Sequence, residues 1–521
     1  MVTLSKEKED IWSNIKITNK EMDFIYNKLF DIETPLKTYD LVRLLINELI
    51  EREKAKQKSI EDIKGDIYLP KDDYQIGQKL SFPAFAMHEG IVTSKRNGNN
   101  PEIGDFSVIE VQFPSGDKKL FASKLEDHVL NLPITSIVDD DLLDFEKISS
   151  RHKKSISNSL LEQLEKSEDL VQIAGYWFPR SLLVDINIGY LNLAEAVLEV
   201  SDGGPLSTLS ILEQIDLPTD ANPILTEFSL NLALQEDERF DEVGPSGETL
   251  WFLHRLEPEY VRNVPKYLLT DPQSIATNDF FRKDLIQLNS EVFDNLEIEE
   301  NYDECSNDVS ISIIYPHWRS GTLPLSNCLE NLFPTAYEAP RIRFTFVDGE
   351  TQEKFAGWVI RENRYVYGLQ DWYKKNDVVP GSLIHIKQGK KPGEVILSIG
   401  KKRPTREWVR TGSVTPDIRI VFKMLKQQIS TEFNERMIVV ISDPEEFDQL
   451  WSKYANHPTE KLLPIVFREL IKLNPQGHVH AQELYSAFNC VRRISPSQVL
   501  NLLRANEEIE HLGDLYYKLK I

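Results

Sequence analysis

Residues 191–253 read LNLAEAVLEVSDGGPLSTLSILEQIDLPTDANPILTEFSLNLALQEDERFDEVGPSGETLWFL. Leu191, Ala194, Val197 and Leu198 recur at the spacing of one helical face, and Gly203-Gly204-Pro205 breaks that helix. Leu206 to Ile215 form a second helix, and Asn222-Pro223 caps a third that runs through Leu234. Phe240 to Val243 and Thr249 to Leu253 alternate as strands, and Gly244-Pro245-Ser246-Gly247 between them has the composition of a turn.

Three helices followed by a hairpin is the plan of a winged helix, and the last sixty residues repeat it. There the pattern predicts helices over Leu463 to Lys472, Ala481 to Phe488 and Pro496 to Asn506, then a hairpin from Glu510-His511-Leu512-Gly513 to Leu519. Phe240-Asp241-Glu242-Val243-Gly244 corresponds to Ile509-Glu510-His511-Leu512-Gly513, which makes a weak internal repeat. Apolar stripes through Met22, Ile25, Leu29 and Phe30, and through Leu41, Leu44, Leu45 and Leu49, place two helices near the start, Thr38 capping the second. With Thr34-Pro35-Leu36 between them, they read as a third, truncated copy.

The rest alternates in short, turn-bounded segments. Gln78 to Phe85, Gly90 to Lys95, Phe106 to Phe113 and Lys119 to Ser123 predict a small antiparallel barrel. Ser310 to Tyr315, Arg341 to Val347, Lys354 to Ile360, Tyr365 to Gly368, Ser382 to Lys387 and Glu394 to Ile399 predict a second. The expected fold class is therefore α+β multidomain, winged-helix domains alternating with small β-barrels. The expected boundaries are a degenerate winged helix at 1–64, a barrel at 65–130, an acidic linker at 131–156 holding Asp139-Asp140-Asp141, and an acidic winged helix at 157–270. An acidic linker at 271–308, a barrel with a basic edge at 309–412, a connecting region at 413–460 and a winged helix at 461–521 complete the chain. Asp294 to Asp308, with seven carboxylates and no cation, reads as solvated.

Three segments carry resemblances. The Gly-Gly-Pro-Leu break, third helix and Phe-Asp-Glu-Val-Gly…Trp-Phe-Leu hairpin of 190–257 resemble the HARE-type winged helix of the RNA polymerase delta subunit, which implies transcription, chromatin or restriction systems. Tyr74-Gln75-Ile76-Gly77 through Phe85, with Gly90-Ile91-Val92 and Lys119-Leu120-Phe121, look like the SH3-like or Tudor-like barrel of CarD-type factors, which implies RNA polymerase or another DNA-processing protein as a partner. Met87-His88-Glu89 stands where that family has a glycine-rich approach. Trp358-Val359-Ile360, Tyr365 to Lys375 and Val378-Val379-Pro380-Gly381 are similar to the DNA-binding pseudobarrel of plant transcription factors, where Gly381 would take a turn conformation closed to bulky residues.

Length and charge narrow the function. The 521 residues are 41% hydrophobic and 27% charged, a globular composition that excludes wholesale disorder. Sixty Lys and Arg against 83 Asp and Glu leave −23, which opposes indiscriminate adhesion to phosphate backbones or anionic membranes. Any contact with DNA or RNA must be local. Met1 to Asp10 is polar, no run reaches membrane length, and Cys305, Cys328 and Cys490 fit neither a closed disulfide framework nor a zinc spacing. A reducing cytoplasm, no membrane, no cofactor and no metal are expected.

Charge then selects the elements that could face nucleic acid. From Leu191 to Glu257 fourteen carboxylates face two arginines, and the third helix has no Lys or Arg, so this copy reads as a protein-docking module. From Lys387 to Arg410 the balance reverses to +6: Lys387, Lys390, Lys391, Lys401, Lys402, Arg403, Arg406 and Arg410 against Glu394 and Glu407, with Trp408 as a stacking face. In the C-terminal copy, Arg492, Arg493 and Arg504 surround the third helix and make it the DNA-facing one. No catalytic constellation emerges. Glu110-Val111-Gln112 has Gln where a nuclease core needs Lys, Asp417 with Glu432 or Glu435 has no fixed spacing, and His478, His480 and His511 are the only metal trio to weigh. The expectation is a non-enzymatic adaptor or regulator in transcription or DNA transactions. The alternatives are an accessory or specificity subunit of a restriction or defence system, and a metal-dependent enzyme.

Overall fold

Leu36 pairs with Trp177 across an antiparallel ladder, and that long-range pairing sets the architecture of the N-terminal unit. A computed structural model describes residues 15–61, 66–82, 88–99, 105–131, 145–270, 282–297, 307–336, 339–391 and 393–520. The chain forms two compact units that meet in sequence at Leu182 and Leu183. Both mix helices with several sheets. Asp139-Asp140-Asp141 and Met1 to Asp10 lie outside the described residues.

The first unit runs α1 (Asn19–Ile32), β1 (Leu36–Lys37), α2 (Thr38–Glu61), β2 (Asp66–Ile67), β3 (Lys79–Phe82), β4 (His88–Asn97), β5 (Ser107–Gln112), β6 (Lys118–Ser123), α3 (Phe145–Glu165), β7 (Leu170–Ile173) and β8 (Tyr176–Pro179). Strands β2 to β6 form one sheet in chain order, its first pair parallel and the others antiparallel. Tyr68, Tyr74, Leu80, Phe82, Ile109 and Val111 fill its core. Both tyrosine hydroxyls donate to backbone carbonyls, Tyr68 to Ala122 and Tyr74 to Leu69, which satisfies polar atoms that would otherwise be costly to bury. The other elements make a separate assembly whose sheet order is β1-β8-β7.

Two expected boundaries are thereby corrected. Residues 145–156 are not linker, and 157–182 do not belong with the acidic copy: α3 buries Ile148, Ile156, Leu160 and Leu164 within the first unit. The truncated copy is complete, with the β2–β6 sheet inserted between its second and third helices. A reading that joins neighbours in sequence splits it at the insertion.

The second unit begins with α4 (Ile188–Val200), β9 (Leu206–Ser207), α5 (Thr208–Ile215), α6 (Pro223–Gln235), β10 (Phe240–Glu242), β11 (Leu250–Leu253) and the short α7 (Glu259–Arg262). Asn187, Ser207 and Asn222 cap its first three helices through side-chain oxygens, and Pro223 starts α6 where no amide hydrogen is needed. The sheet order β10-β11-β9 repeats that of the first unit, and one bond repeats atom for atom. Trp177 Nε1 donates to Thr38 Oγ1 at 3.0 Å, and Trp251 Nε1 donates to Thr208 Oγ1 at 3.1 Å.

Next come α8 (Arg282–Val292), β12 (Asp308–Ser312), α9 (Tyr315–Ser320), β13 (Thr322–Pro324), α10 (Asn327–Glu330), β14 (Arg341–Asp348), β15 (Lys354–Ile360), β16 (Tyr365–Tyr367), α11 (Gln370–Lys375), β17 (Leu383–Gln388) and β18 (Glu394–Ile399). The seven strands order as β12-β17-β18-β14-β15-β16-β13, with β14 and β18 parallel. Gly381 has φ +100°, and a Cβ there would lie 2.3 Å from Ile438 Cα, so only glycine fits. The hairpin β10–β11 packs on this sheet: Phe252 meets Trp358 edge to face at 5.3 Å, and Arg343 N–H donates to Val243 O.

The chain ends with β19 (Lys401–Val414), β20 (Ile420–Thr431), β21 (Val440–Ile441), α12 (Pro444–Tyr454), α13 (Thr459–Ile471), β22 (His478–His480), α14 (Ala481–Asn489), α15 (Pro496–Ala505), β23 (Ile509–Gly513) and β24 (Tyr516–Leu519). Its last six elements form a third copy of the plan, sheet order β22-β24-β23. The basic run therefore does not stop at a barrel edge. It continues into a two-stranded ribbon, β19–β20, through the region expected to be a mere connection.

The expected solvated linker at 271–308 is also corrected within its described part. Residues 282–292 are helical, Leu288 and Val292 join the core of the third copy, and Asp294 is buried. Cys328 is disulfide-bonded and Cys490 is a free, buried thiol. No helix among the described residues is long and apolar enough to cross a membrane.

Candidate nucleic-acid interface

The ribbon has a register that sorts its side chains by face. Arg406 stands opposite Gln428, Trp408 opposite Lys426, and Arg410 opposite Met424. Because strand side chains alternate, these six share one face, while Glu407, Val409, Leu425 and Gln427 share the other. Trp408 is 66% exposed and Met424 40% exposed, and Arg406, Lys426 and Gln428 are exposed beside them. A directly opposed pair on one face has Cβ atoms about 5 Å apart, so Lys426 flanks the indole on one side and Arg406 follows it along the strand.

Neither end of the ribbon is a free tip. Its open end joins the seven-stranded sheet, where Glu432 N–H donates to Gly400 O and Leu383 N–H donates to Glu432 O. Its closing turn is held by Lys453 Nζ, which donates to Asp417 O and Ile418 O. The exposed part is thus a fixed strip in mid-ribbon. An aromatic plane with cations on either side can stack a base and neutralise the flanking phosphates.

The twelve residues expected at the interface divide sharply. Arg406, Trp408, Lys390 and Lys391 are exposed, the two lysines at the turn between β17 and β18. Lys387 is paired with Asp308 at 2.7 Å and Lys401 with Glu350. The side chains of Lys402 and Arg403 lie outside the described residues. Arg410 is a correction: only 6% exposed, it donates to Glu483 Oε1 and Arg436 O, and burial pushes its pKa down against the pull of Glu483. It fastens the ribbon to α14.

The C-terminal arginines are corrected too. Arg493 is 3% exposed and donates to both carboxylate oxygens of Asp294, at 2.8 and 2.5 Å, and to Asn295 Oδ1. His317 extends the network, its Nε2 3.1 Å from Asn295 Oδ1 and its Nδ1 2.9 Å from Thr322 Oγ1; burial and Arg493 hold its pKa well below the usual value. Arg492 donates to His457 O and Tyr454 O at the wall of a cavity of about 720 Å³. Helix α15 is itself covered: α8 packs into the same core, and Glu297 Oε1 accepts the Ser497 N–H in its first turn. Of the three arginines expected around the third helix of the last copy, Arg504 alone, in its last turn, is exposed.

In the acidic copy α6 buries Leu225, Phe228, Ser229, Leu230, Asn231 and Leu232, so no polar reading face remains, in keeping with its lack of cations. The enzyme constellations do not converge either. His478 and His480 both flank Tyr516, whereas His511 pairs with Tyr517 on the opposite face. Among the described residues no group of three His, Cys, Asp or Glu could hold a metal. Glu110 accepts from Thr93 and Lys118, and Asp417 lies at the opposite end of the ribbon from Glu432.

Sequence reasoning missed Lys423, Met424, Lys426 and Gln428, which the register places across from the basic strand. The signal was a turn at Thr415-Pro416-Asp417 followed by a second segment of equal polarity. With it, residues 401–431 carry eight cations and two carboxylates. Compared with known proteins, the chain matches no family model, no curated protein and no solved structure.

Proposed function

We propose that this protein is a non-enzymatic, multidomain adaptor or regulator of nucleic-acid transactions, transcription among them. Three copies of a plan with helix, strand, two helices and hairpin are read as winged helices, and the two larger sheets as a Tudor-like barrel and a DNA-binding-type pseudobarrel. The acidic copy and the C-terminal copy serve as packing and protein-contact modules, since both third helices are covered. Nucleic acid is held on the β19–β20 strip. The observation that carries this reading is Trp408, 66% exposed with Arg406 and Lys426 on the same face, in a chain of net charge −23.

The strip favours single strands. Every base offers a flat face to an exposed indole, and in a single strand those faces are free to stack on it. Fluorescence anisotropy with single-stranded and duplex oligonucleotides across a salt series tests the proposal. Trp408→Ala is expected to weaken single-strand binding roughly 5- to 150-fold, the equivalent of about 1–3 kcal/mol per stacked base. Arg406→Gln with Lys426→Gln should lower the salt slope by about 1.4, at about 0.7 per cation on single strands. No single-strand binding at low salt, or binding untouched by all three changes, would refute it.

A further inference from the structure

We propose that the outward face of α3, in the first unit, is a separate site for duplex DNA. Of the three third helices, α6 is buried and without cations, and α15 is covered by α8 and Glu297. Helix α3 differs from both. Its buried stripe is Ile148, Ile156, Leu160 and Leu164. Opposite that stripe, Lys147, Ser150, Arg151, Lys154 and Asn158 follow the spacing i, i+3, i+4, i+7 and i+11, and all five are exposed.

Charge makes this face complementary to a phosphate backbone. The helix carries Lys147, Arg151, Lys153 and Lys154 in its first three turns against the single carboxylate Glu146, and no further carboxylate before Glu162. Lys153 is already placed, its Nζ 4.1 Å from the centre of the Tyr39 ring. Lys147 and Lys154 stand two turns apart, about 10 Å along the axis, and a helix of about 10–12 Å diameter fits a major groove about 12 Å wide. Serine and asparagine between the cations add donors and acceptors for phosphates or base edges. A membrane surface would call for large apolar side chains on this face, and the five exposed positions hold none.

This site belongs to the first unit and the ribbon to the second, so substitutions can test the two separately in the full chain. Anisotropy with a 5′-labelled duplex of about two helical turns would compare the wild type with Lys147→Gln/Arg151→Gln/Lys154→Gln. The triple variant should lose about 2.7 from the slope of log K against log salt, at about 0.9 per cation on duplex. Ser150→Glu, which adds a carboxylate without removing a cation, should also weaken duplex binding. Single-strand binding through Trp408 should be unchanged in both, which shows that the chain is folded. Duplex affinity and slope equal to wild type in both variants would overturn the proposal. So would a wild-type chain that binds polyglutamate or phosphatidylserine vesicles as tightly as duplex.

Discussion

Asp294→Asn removes one negative charge from a pair that solvent does not reach. Both side chains of the Asp294–Arg493 pair have zero exposure, and the guanidinium also donates to Asn295, Asn489 and the Ile494 carbonyl. Tyr485 donates its hydroxyl to the same carboxylate. Asparagine keeps the shape but leaves a buried cation without its counter-ion, which costs about 3–5 kcal/mol. Replacing both partners by apolar groups, Asp294→Leu with Arg493→Met, removes the uncompensated charge and should recover most of that loss. The coupling between the two positions is therefore expected to exceed about 2 kcal/mol. Urea unfolding followed by tryptophan fluorescence reads it, because Trp318 and Trp451 pack against the core that contains α14 and α15. Amide exchange over residues 481–505 should accelerate in the single variant. A loss below about 1 kcal/mol for Asp294→Asn, or a double variant as unstable as the sum of its parts, would refute the view that this pair locks α8 and its following turn onto the third copy.

What the sequence made legible was local. The cap at Asn222-Pro223 and the break at Gly203-Gly204 mark real helix ends, because the backbone groups they satisfy lie within four residues. The alternation at 394–399 marks a strand with one dry face, whereas 357–360 is buried on both faces because the β10–β11 hairpin covers Trp358 and Ile360. Strand β20 was hidden because Lys423-Met424-Leu425-Lys426 is wet on both faces, and an exposed ribbon has no apolar alternation to show. The insertion of a sheet between α2 and α3 was hidden because the Leu36–Trp177 pairing spans the insertion. Arginine burial was hidden for a similar reason. Arg493 and Arg410 look like surface cations until Asp294 and Glu483 arrive from distant segments. Local charge is therefore legible in the sequence, but whether it is covered depends on long-range packing.

The remaining predictions concern a glycine and a histidine. Gly381→Ala places a methyl group against the Ile438 backbone at a positive φ, and several kcal/mol of stability should be lost in thermal unfolding of the full chain; a shift of a degree or less would show that the Gly381 turn relaxes freely. His480 caps α14, its Nδ1 accepting the Gln482 N–H at 3.2 Å, while its backbone N–H donates to Glu483 Oε2. Burial, helped by Arg436 and opposed by the bond with the Asp514 backbone, pushes its pKa down to about 4. The unfolded chain, with an ordinary histidine near 6.5, then binds more protons than the folded one between those values. The stabilisation is complete above about pH 6.5 and is lost as pH falls towards 4. Neutral imidazole is also the form that can accept the capping bond, so protonation costs the helix its cap as well as its dry site. His480→Asn keeps a cap acceptor without the titration, and its unfolding temperature should fall less steeply over that window than that of the wild type. Parallel slopes for the two proteins would mean that His480 is already protonated in the folded chain and that the cap is not what acid removes.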